Sequence, residues 1–234
     1  MADPPKPPRA RYEARRNAVV DAAAAVFARK GFHATSVDDL VEATGLQRGG
    51  LYYYMKGKQD LLIRIHERFI EPLLENAREI AARHEPPEVE LRLLVHALMQ
   101  DIAEYRDAVT VFLHEWRIIA DGPEWKEVRR ARREFEDLFA GCIRRGTDSG
   151  VFRELDQRTT MRGIVGMVNS TYQWMDVRGA RTPAALADAY ADIVLYGIVA
   201  PRASASAARK KAAGGTGERR VAPRRKAPAR RSPG

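Results

Sequence analysis

The chain has few of the groups that carry covalent or redox chemistry. Among its 234 residues there is one cysteine, Cys142, which excludes an internal disulfide framework and a multi-cysteine zinc site. Arg144 and Arg145 lie near it, but no base is placed to activate it, so it reads as an inert thiol. The five histidines, His33, His66, His84, His96 and His114, show no metal-ligand spacing, and His114-Glu115 lacks the second histidine of a zincin motif. There is no P-loop, dinucleotide fingerprint or nucleophile elbow, so the sequence indicates neither an enzyme nor a cofactor. No apolar run approaches the ~20 residues of a membrane span. The opening MADPPKPPRARYEARR also lacks the apolar stretch of a secretory signal. The expectation is a soluble cytoplasmic protein, nucleoid-associated if it binds DNA, with no membrane partner.

Positive charge is plentiful but unevenly placed. The net charge is +9. Residues 202–234 hold eleven of the forty basic side chains and one acid, Glu218, which gives that segment +10 and the rest of the chain −1. Within the rest, residues 1–62 carry ten bases and seven acids, or +3, which leaves −4 for 63–201. The last segment, with its basic clusters separated by Ala, Pro and Gly, has almost nothing to bury and is expected to be disordered from about 201. Residues 1–10, rich in proline, are expected to form a disordered arm.

Between these ends the pattern is helical and shows no sustained period-2 alternation, so the fold class is all-α. Val19, Ala22, Ala23, Val26 and Phe27 follow the spacing of one helix face over 11–30, and Gly31 sits where a left-handed C′ residue closes a helix. Ser36 caps a short helix with Asp38 and Asp39 in its first turn, and Thr44-Gly45 ends it. A second short helix spans Gln47 to Met55, and the pair sketches a helix-turn-helix. Longer helices follow over roughly 59–83, with Pro72 inside it, then 87–106, 107–120, 123–145, 157–177 with Asp156 as its N-cap, and 183–199 capped by Thr182. This divides the chain into a three-helix unit over 11–58 and an about six-helix body over 59–200.

Reading DNA requires a helix that fits the major groove, polar side chains on its outer face and anchors to phosphate. In the second short helix Leu51 and Met55 are expected to face inward, and Arg48 and Tyr52 outward with Tyr53 beside them. Arg48 can present its fork to guanine, while tyrosine hydroxyls reach phosphates or their rings meet thymine methyls. At least one of Tyr52, Tyr53 and Tyr54 is expected to pack on the core. Lys56, Lys58 and Thr35 suit phosphate anchoring.

The run from Thr35 to Leu62, TSVDDLVEATGLQRGGLYYYMKGKQDLL, together with AAAVFARKGF at 23–32, resembles the DNA-binding segment of TetR-family transcriptional regulators. That resemblance implies that 11–58 is an all-α helix-turn-helix DNA-binding domain and 59–200 a ligand-binding and dimerisation domain, in a homodimer that represses a promoter through an inverted-repeat operator until a small molecule releases it. By position, it places Arg48 and Tyr52 at base- or backbone-contacting sites and Thr35, Tyr53 and Lys58 at phosphate-contacting ones. The chain departs from the family pattern at Gln47, where Ser or Thr would cap better, at Gly49-Gly50 inside the helix, at Tyr54 and Met55, and at Gly57.

In the body, the apolar stripes at Met161, Ile164, Val165, Val168, Tyr172 and Met175 and at 186–198 are candidates for a dimer interface. Pocket candidates are Tyr105, Phe112, Trp116 and Arg117, with Asn169, Tyr172, Gln173 and Trp174 on the helix expected to flank them. The segments His114-Glu115-Trp116-Arg117 and Gly166 to Trp174 resemble regulators of fatty-acid and steroid catabolism that respond to acyl-CoA thioesters. This resemblance implies such an effector, with Arg117, Arg144, Arg145 and Arg178 as available cations for its phosphates.

A competing reading is a nonspecific, nucleoid-type DNA binder acting through the basic tail by counterion release. The two readings separate on truncation. A chain ending at residue 201 should keep its preference for one operator sequence and lose nonspecific affinity, with a shallower dependence of log K on log salt. Gel-shift titrations across salt concentrations measure both.

Overall fold

A computed structural model describes residues 8–115, 122–176 and 179–197. The described residues are helical, with nine α-helices and no strand among them. The basic tail, Trp116, Arg117 and Arg178 lie outside the described residues.

The first helix, α1 (Pro8–Lys30), begins inside the expected N-terminal arm, so residues 8–10 are helical. It closes at Gly31, whose φ of +83° lies in the left-handed region that only glycine adopts at low cost. Helix α2 (Val37–Thr44) is set by a full capping box: the Ser36 hydroxyl accepts from the Asp39 N–H, and the Asp39 carboxylate accepts from the Ser36 N–H. Lys30 and Ser36 bonded to that carboxylate pull the Asp39 pKa down to about 2. Gly45, at φ +64°, ends α2 and turns the chain into α3 (Arg48–Tyr54). Gln47 precedes α3 without a side-chain cap, as its chemistry suggested.

Helix α4 (Lys58–Ala82) runs unbroken from the helix-turn-helix into the body, with Pro72 inside it. It is followed by α5 (Pro87–Glu104), α6 (Arg106–His114), a 3-10 turn at Pro123–Trp125, α7 (Lys126–Asp148), α8 (Gln157–Asn169), a second 3-10 turn at Ser170–Gln173, and α9 (Pro183–Tyr196). Asp156 and Thr182 cap α8 and α9 through their side chains, as expected from the sequence. Helix α4 packs against α5 and α7, α1 against α2, α4 and α6, and α9 along α5. The described residues through Gly197 form one compact unit, with no gap in packing near residue 58.

The apolar stripe of α8 is largely consumed within the chain. Met161, Ile164 and Val168 are buried, as is Met175 beyond it, so this helix offers less to a partner than its sequence suggested. On α9, Leu186, Ala187 and Ala191 are buried while Ile193 and Tyr196 are exposed. That helix is also held to α5 by Arg92, which pairs with Asp188 and Asp192, and by His96, which lies 2.8 Å from Asp188.

Two polar groups stand out in the core. Glu90 is buried but accepts both its contacts from Arg145, at 2.5 and 2.7 Å, so an otherwise exposed arginine neutralises it from the surface. His66 is fully buried among Phe69, Phe112 and Trp125, with Nδ1 2.5 Å from the Leu62 carbonyl and Nε2 without a partner. Burial disfavours its charged form and lowers its pKa from 6.5 to about 4. The unfolded chain takes up a proton at His66 as pH falls below 6.5 and the folded chain does not until about 4, so stability is lost across that window. His66→Leu should remove this component. Relative to the wild type, the variant should gain a few kcal/mol between pH 7 and pH 4, read as the shift in urea midpoint at each pH.

Candidate nucleic-acid interface and effector cavity

The outward face of α3 is built by burial of the opposite face. Leu51 and Met55 are buried, which turns Arg48, Tyr52 and Tyr53 outward, and the two tyrosines are 49% and 69% exposed. Tyr54 is the tyrosine of the triplet that packs inward. It stacks on Tyr12 of α1 with ring centroids 5.4 Å apart, and Tyr12 also meets Tyr53 edge-on at 5.5 Å. Tyr12 is a contributor that local sequence patterning did not single out, because its partner lies some forty residues away. Arg48 pairs with Asp38 on α2, which raises its pKa further. Both side chains are exposed, so the pair contributes little to stability and exchanges readily for a phosphate or a guanine. Lys56 is exposed beside them, its backbone N–H donating to Asp60.

Two expected phosphate anchors have other roles. The Thr35 side chain is 2% exposed and its hydroxyl donates to the Gly31 carbonyl at 2.8 Å, so it closes the turn after α1 and does not face outward. The Lys58 ammonium donates to the carbonyls of Phe32 and Thr35 at 2.8 Å and of His33 at 3.3 Å, and lies 4.7 Å from the Phe32 ring centroid. An ammonium has three donors and no acceptor, and here all three are met by carbonyls of the turn that joins α1 to α2. Lys58 is therefore a brace between α4 and the α1–α2 turn. Spacing alone could not separate a lysine aimed at solvent from one aimed at this turn.

The body contains a mostly apolar cavity of about 60 Å³, roughly the room of a few ordered waters. Its walls include Phe69, Ile70 and Leu73 of α4, Val109, Phe112 and Leu113 of α6, and Phe135 of α7. Of the pocket residues expected from sequence, Phe112 and Asn169 line it. Tyr105 lies instead in a separate groove near Asp21 and Glu104, with the Arg68 guanidinium 6.0 Å from its ring. Tyr172 places its hydroxyl 3.0 Å from His114 Nε2 and accepts from the Gln173 amide, and Trp174 is 53% exposed. These three miss the cavity because the α-helix stops at Asn169 and the chain tightens into a 3-10 turn. Three residues per turn replace 3.6, and the stripe expected to continue to 177 rotates away.

Three polar cavity residues lay outside the sequence reading: Asp101 on α5 and the ion-paired Arg132 and Glu136 on α7. Asp101 had a legible signal, since Leu94, Leu98 and Asp101 share one helix face and the first two are core residues. Cys142 is buried, donates weakly to the Pro87 carbonyl and has its thiol pushed up to about 12 by burial, which matches an inert role. Among the described residues no group of three or more histidine, cysteine or acidic side chains is placed to hold a metal. No helix of the described residues is long and apolar enough to cross a membrane.

The cavity and the reading face are physically joined. Helix α4 carries the Lys58 brace at its first residue and cavity wall at Phe69, Ile70 and Leu73. Helix α6 carries wall residues and ends at Glu115, whose carboxylate accepts from the Phe32 N–H at 3.1 Å. Gln59 at the start of α4 donates to Glu124.

Comparison with known proteins agrees with this division. Residues 19–65 match the family described as bacterial regulatory proteins, tetR family, and residues 84–198 match the tetracyclin repressor-like C-terminal domain. The HTH-type transcriptional repressor KstR2 of Rhodococcus jostii is 27% identical over 202 residues, covering 86% of this chain and 99% of that protein. The structure of the ketosteroid transcriptional regulator KstR2 of Mycobacterium tuberculosis superposes with a TM-score of 0.74 at 25% identity, over 80% of this chain and 96% of that one. PfmR of Thermus thermophilus, a TetR family transcriptional regulator, gives 0.69 at 29% identity, over 78% and 99%. AibR, solved with isovaleryl coenzyme A and operator DNA, gives 0.69 at 20% identity, over 79% and 100%, and shares the fold. With a helix-turn-helix at one end and a cavity-bearing helical body at the other, the chain belongs to the TetR family of bacterial helix-turn-helix transcriptional regulators.

Proposed function

We propose that the protein represses transcription by binding an inverted-repeat operator as a homodimer, and that a small molecule entering the body cavity releases it. The observation that carries this reading is the double attachment of the cavity to the DNA-reading unit, through α4 to the Lys58 brace and through α6 to Glu115 and Phe32. A ligand larger than about 60 Å³ must displace wall side chains on both helices. A shift of either helix strains the contacts that fix α2 and α3, so the two arrangements differ in ligand affinity and in DNA affinity together. Reading a two-fold operator needs two reading heads on one symmetry axis. The exposed Trp174, Ile193 and Tyr196 supply apolar surface for such a pairing.

The effector we infer is an acyl-CoA thioester of lipid or steroid catabolism. Its support is the resemblance of the 114–117 and 166–174 segments to regulators of that kind, and the similarity to KstR2, named a ketosteroid transcriptional regulator. AibR adds that this fold accommodates isovaleryl coenzyme A and operator DNA. An apolar wall with the Arg132–Glu136 pair at its polar side suits an acyl group. Arg144 and Arg145 are both exposed, and one guanidinium nitrogen of Arg145 is engaged by buried Glu90.

Footprinting at physiological salt should show one protected inverted repeat, and the absence of any discrete protected site would sink the repressor reading. Titrating acyl-CoA thioesters of several chain lengths into the complex, with free CoA as control, should release the DNA. Release by none removes the acyl-CoA branch.

Arg48 and Lys58 separate recognition from framing. Arg48→Ala should weaken operator binding roughly ten- to a hundredfold, the loss of one base contact, with little effect on random duplex. Lys58→Ala should weaken both together and lower the melting temperature, because three carbonyls lose their donor. Calorimetry alongside gel shifts distinguishes the two.

A further inference from the structure

Among the described residues two acids are wholly buried, Glu90 and Asp101, while Glu88 is half-buried with one carboxylate oxygen unpaired. Glu90 is bonded to Arg145, but the Oδ2 atom of Asp101 is buried with no hydrogen-bond partner, and the residue is 7% exposed. Asp101 lines the cavity together with Leu98 and Ile102 of its own helix and Phe112 of α6. A leucine at this place on the Leu94–Leu98 face would pack without penalty, whereas a buried polar atom left unpaired costs ~1–3 kcal/mol. Unpaired polar atoms in an apolar recess are a recurrent sign of a group reserved for a ligand.

The charges around it are few. Glu104 lies one turn further along α5, the Arg132–Glu136 ion pair faces the cavity from α7, and Asn169 faces it from the end of α8. The α4 and α6 walls contribute only apolar side chains. Burial, aided by Glu104, pushes the Asp101 carboxyl up to about 8, so near neutral pH it holds its proton. A protonated carboxyl donates through its O–H and accepts through its carbonyl, and so meets a ketone or a hydroxyl equally well.

We propose that Asp101 is the polar end of the effector site and hydrogen-bonds a ketone or hydroxyl oxygen on the buried, otherwise apolar part of the ligand, so that the effector carries an oxygenated ring or chain and not a plain hydrocarbon one. This rests on the reading of the cavity as the effector site. Asp101 selects by the penalty it imposes on ligands without the oxygen, since a hydrocarbon seals the carboxyl away from water and leaves it unpaired.

The test uses the full chain and two matched pairs of probes. The first pair, methyl hexanoate and methyl 5-oxohexanoate, differs by one ketone and lacks the CoA moiety; binding is followed by ligand-observed NMR. The second pair, hexanoyl-CoA and 5-oxohexanoyl-CoA, is scored by release of operator DNA. The wild type should favour the keto ester by ~10-fold or more. Asp101→Leu should abolish or reverse that preference and raise the melting temperature, because an unpaired polar group is replaced by a packing one. Asp101→Asn, which keeps a donor and an acceptor, should retain part of the preference. Equal affinity for the two esters, no binding of either, a preference that survives in Asp101→Leu, or a lower melting temperature in that variant each overturns the proposal. A keto preference among the esters with no DNA release by either thioester supports the Asp101 contact and removes the acyl-CoA reading, so the two failures are distinguishable.

Discussion

The Lys58 ammonium determines how the reading head is mounted. Three carbonyls of the turn between α1 and α2, those of Phe32, His33 and Thr35, belong to no helix, and one side chain from the start of α4 satisfies them. The capping box at Ser36 and Asp39, the Thr35 bond to Gly31 and the Lys30 contact to Asp39 all lie within the same turn. Together they fix α2, and α2 fixes α3 through Gly45. Because the brace belongs to a 25-residue helix that continues into the body, the position of α3 depends on where α4 lies.

Polar groups in the interior divide into those that hold the fold and those that strain it. Glu90 with Arg145 belongs to the first kind, since removing either partner would leave a charge unpaired. His66 and Asp101 belong to the second, each with a ring or carboxyl atom unpaired in an apolar setting. Both lie in or against the region where α4, α5 and α6 meet the cavity. Strain of this kind persists where function requires it and is offset by packing elsewhere.

Much of this architecture was legible from the residues alone, because the signals were local. Gly31, Ser36, Gly45, Asp156 and Thr182 mark boundaries through chemistry confined to one turn, and all five sit where those rules put them. The inward Leu51 and Met55 and outward Arg48 and Tyr52 followed from four-residue spacing. What could not be read was non-local. Lys58 and Thr35 look like phosphate ligands until the turn that occupies them is in view. Tyr12 has no meaning without α3 beside it. Tyr172, Gln173 and Trp174 shared a stripe with Asn169 only while the helix was taken to be α throughout, and the 3-10 turn changed their direction. Asp101 was within reach, as an acid on an otherwise leucine-rich face.

The small volume of the cavity has a kinetic side. On the proposed reading of the cavity as the effector site, a ligand larger than about 60 Å³ enters only as the wall side chains give way. It must wait for the walls of α4 and α6 to part, and that opening is a unimolecular step on the slower timescale of helix displacement. The speed of response then levels off as effector accumulates, because the limiting event no longer involves the effector. A regulator working in that way would filter out brief pulses of its signal and answer sustained ones, a property set by the packing of Phe69, Phe112 and their neighbours around the cavity.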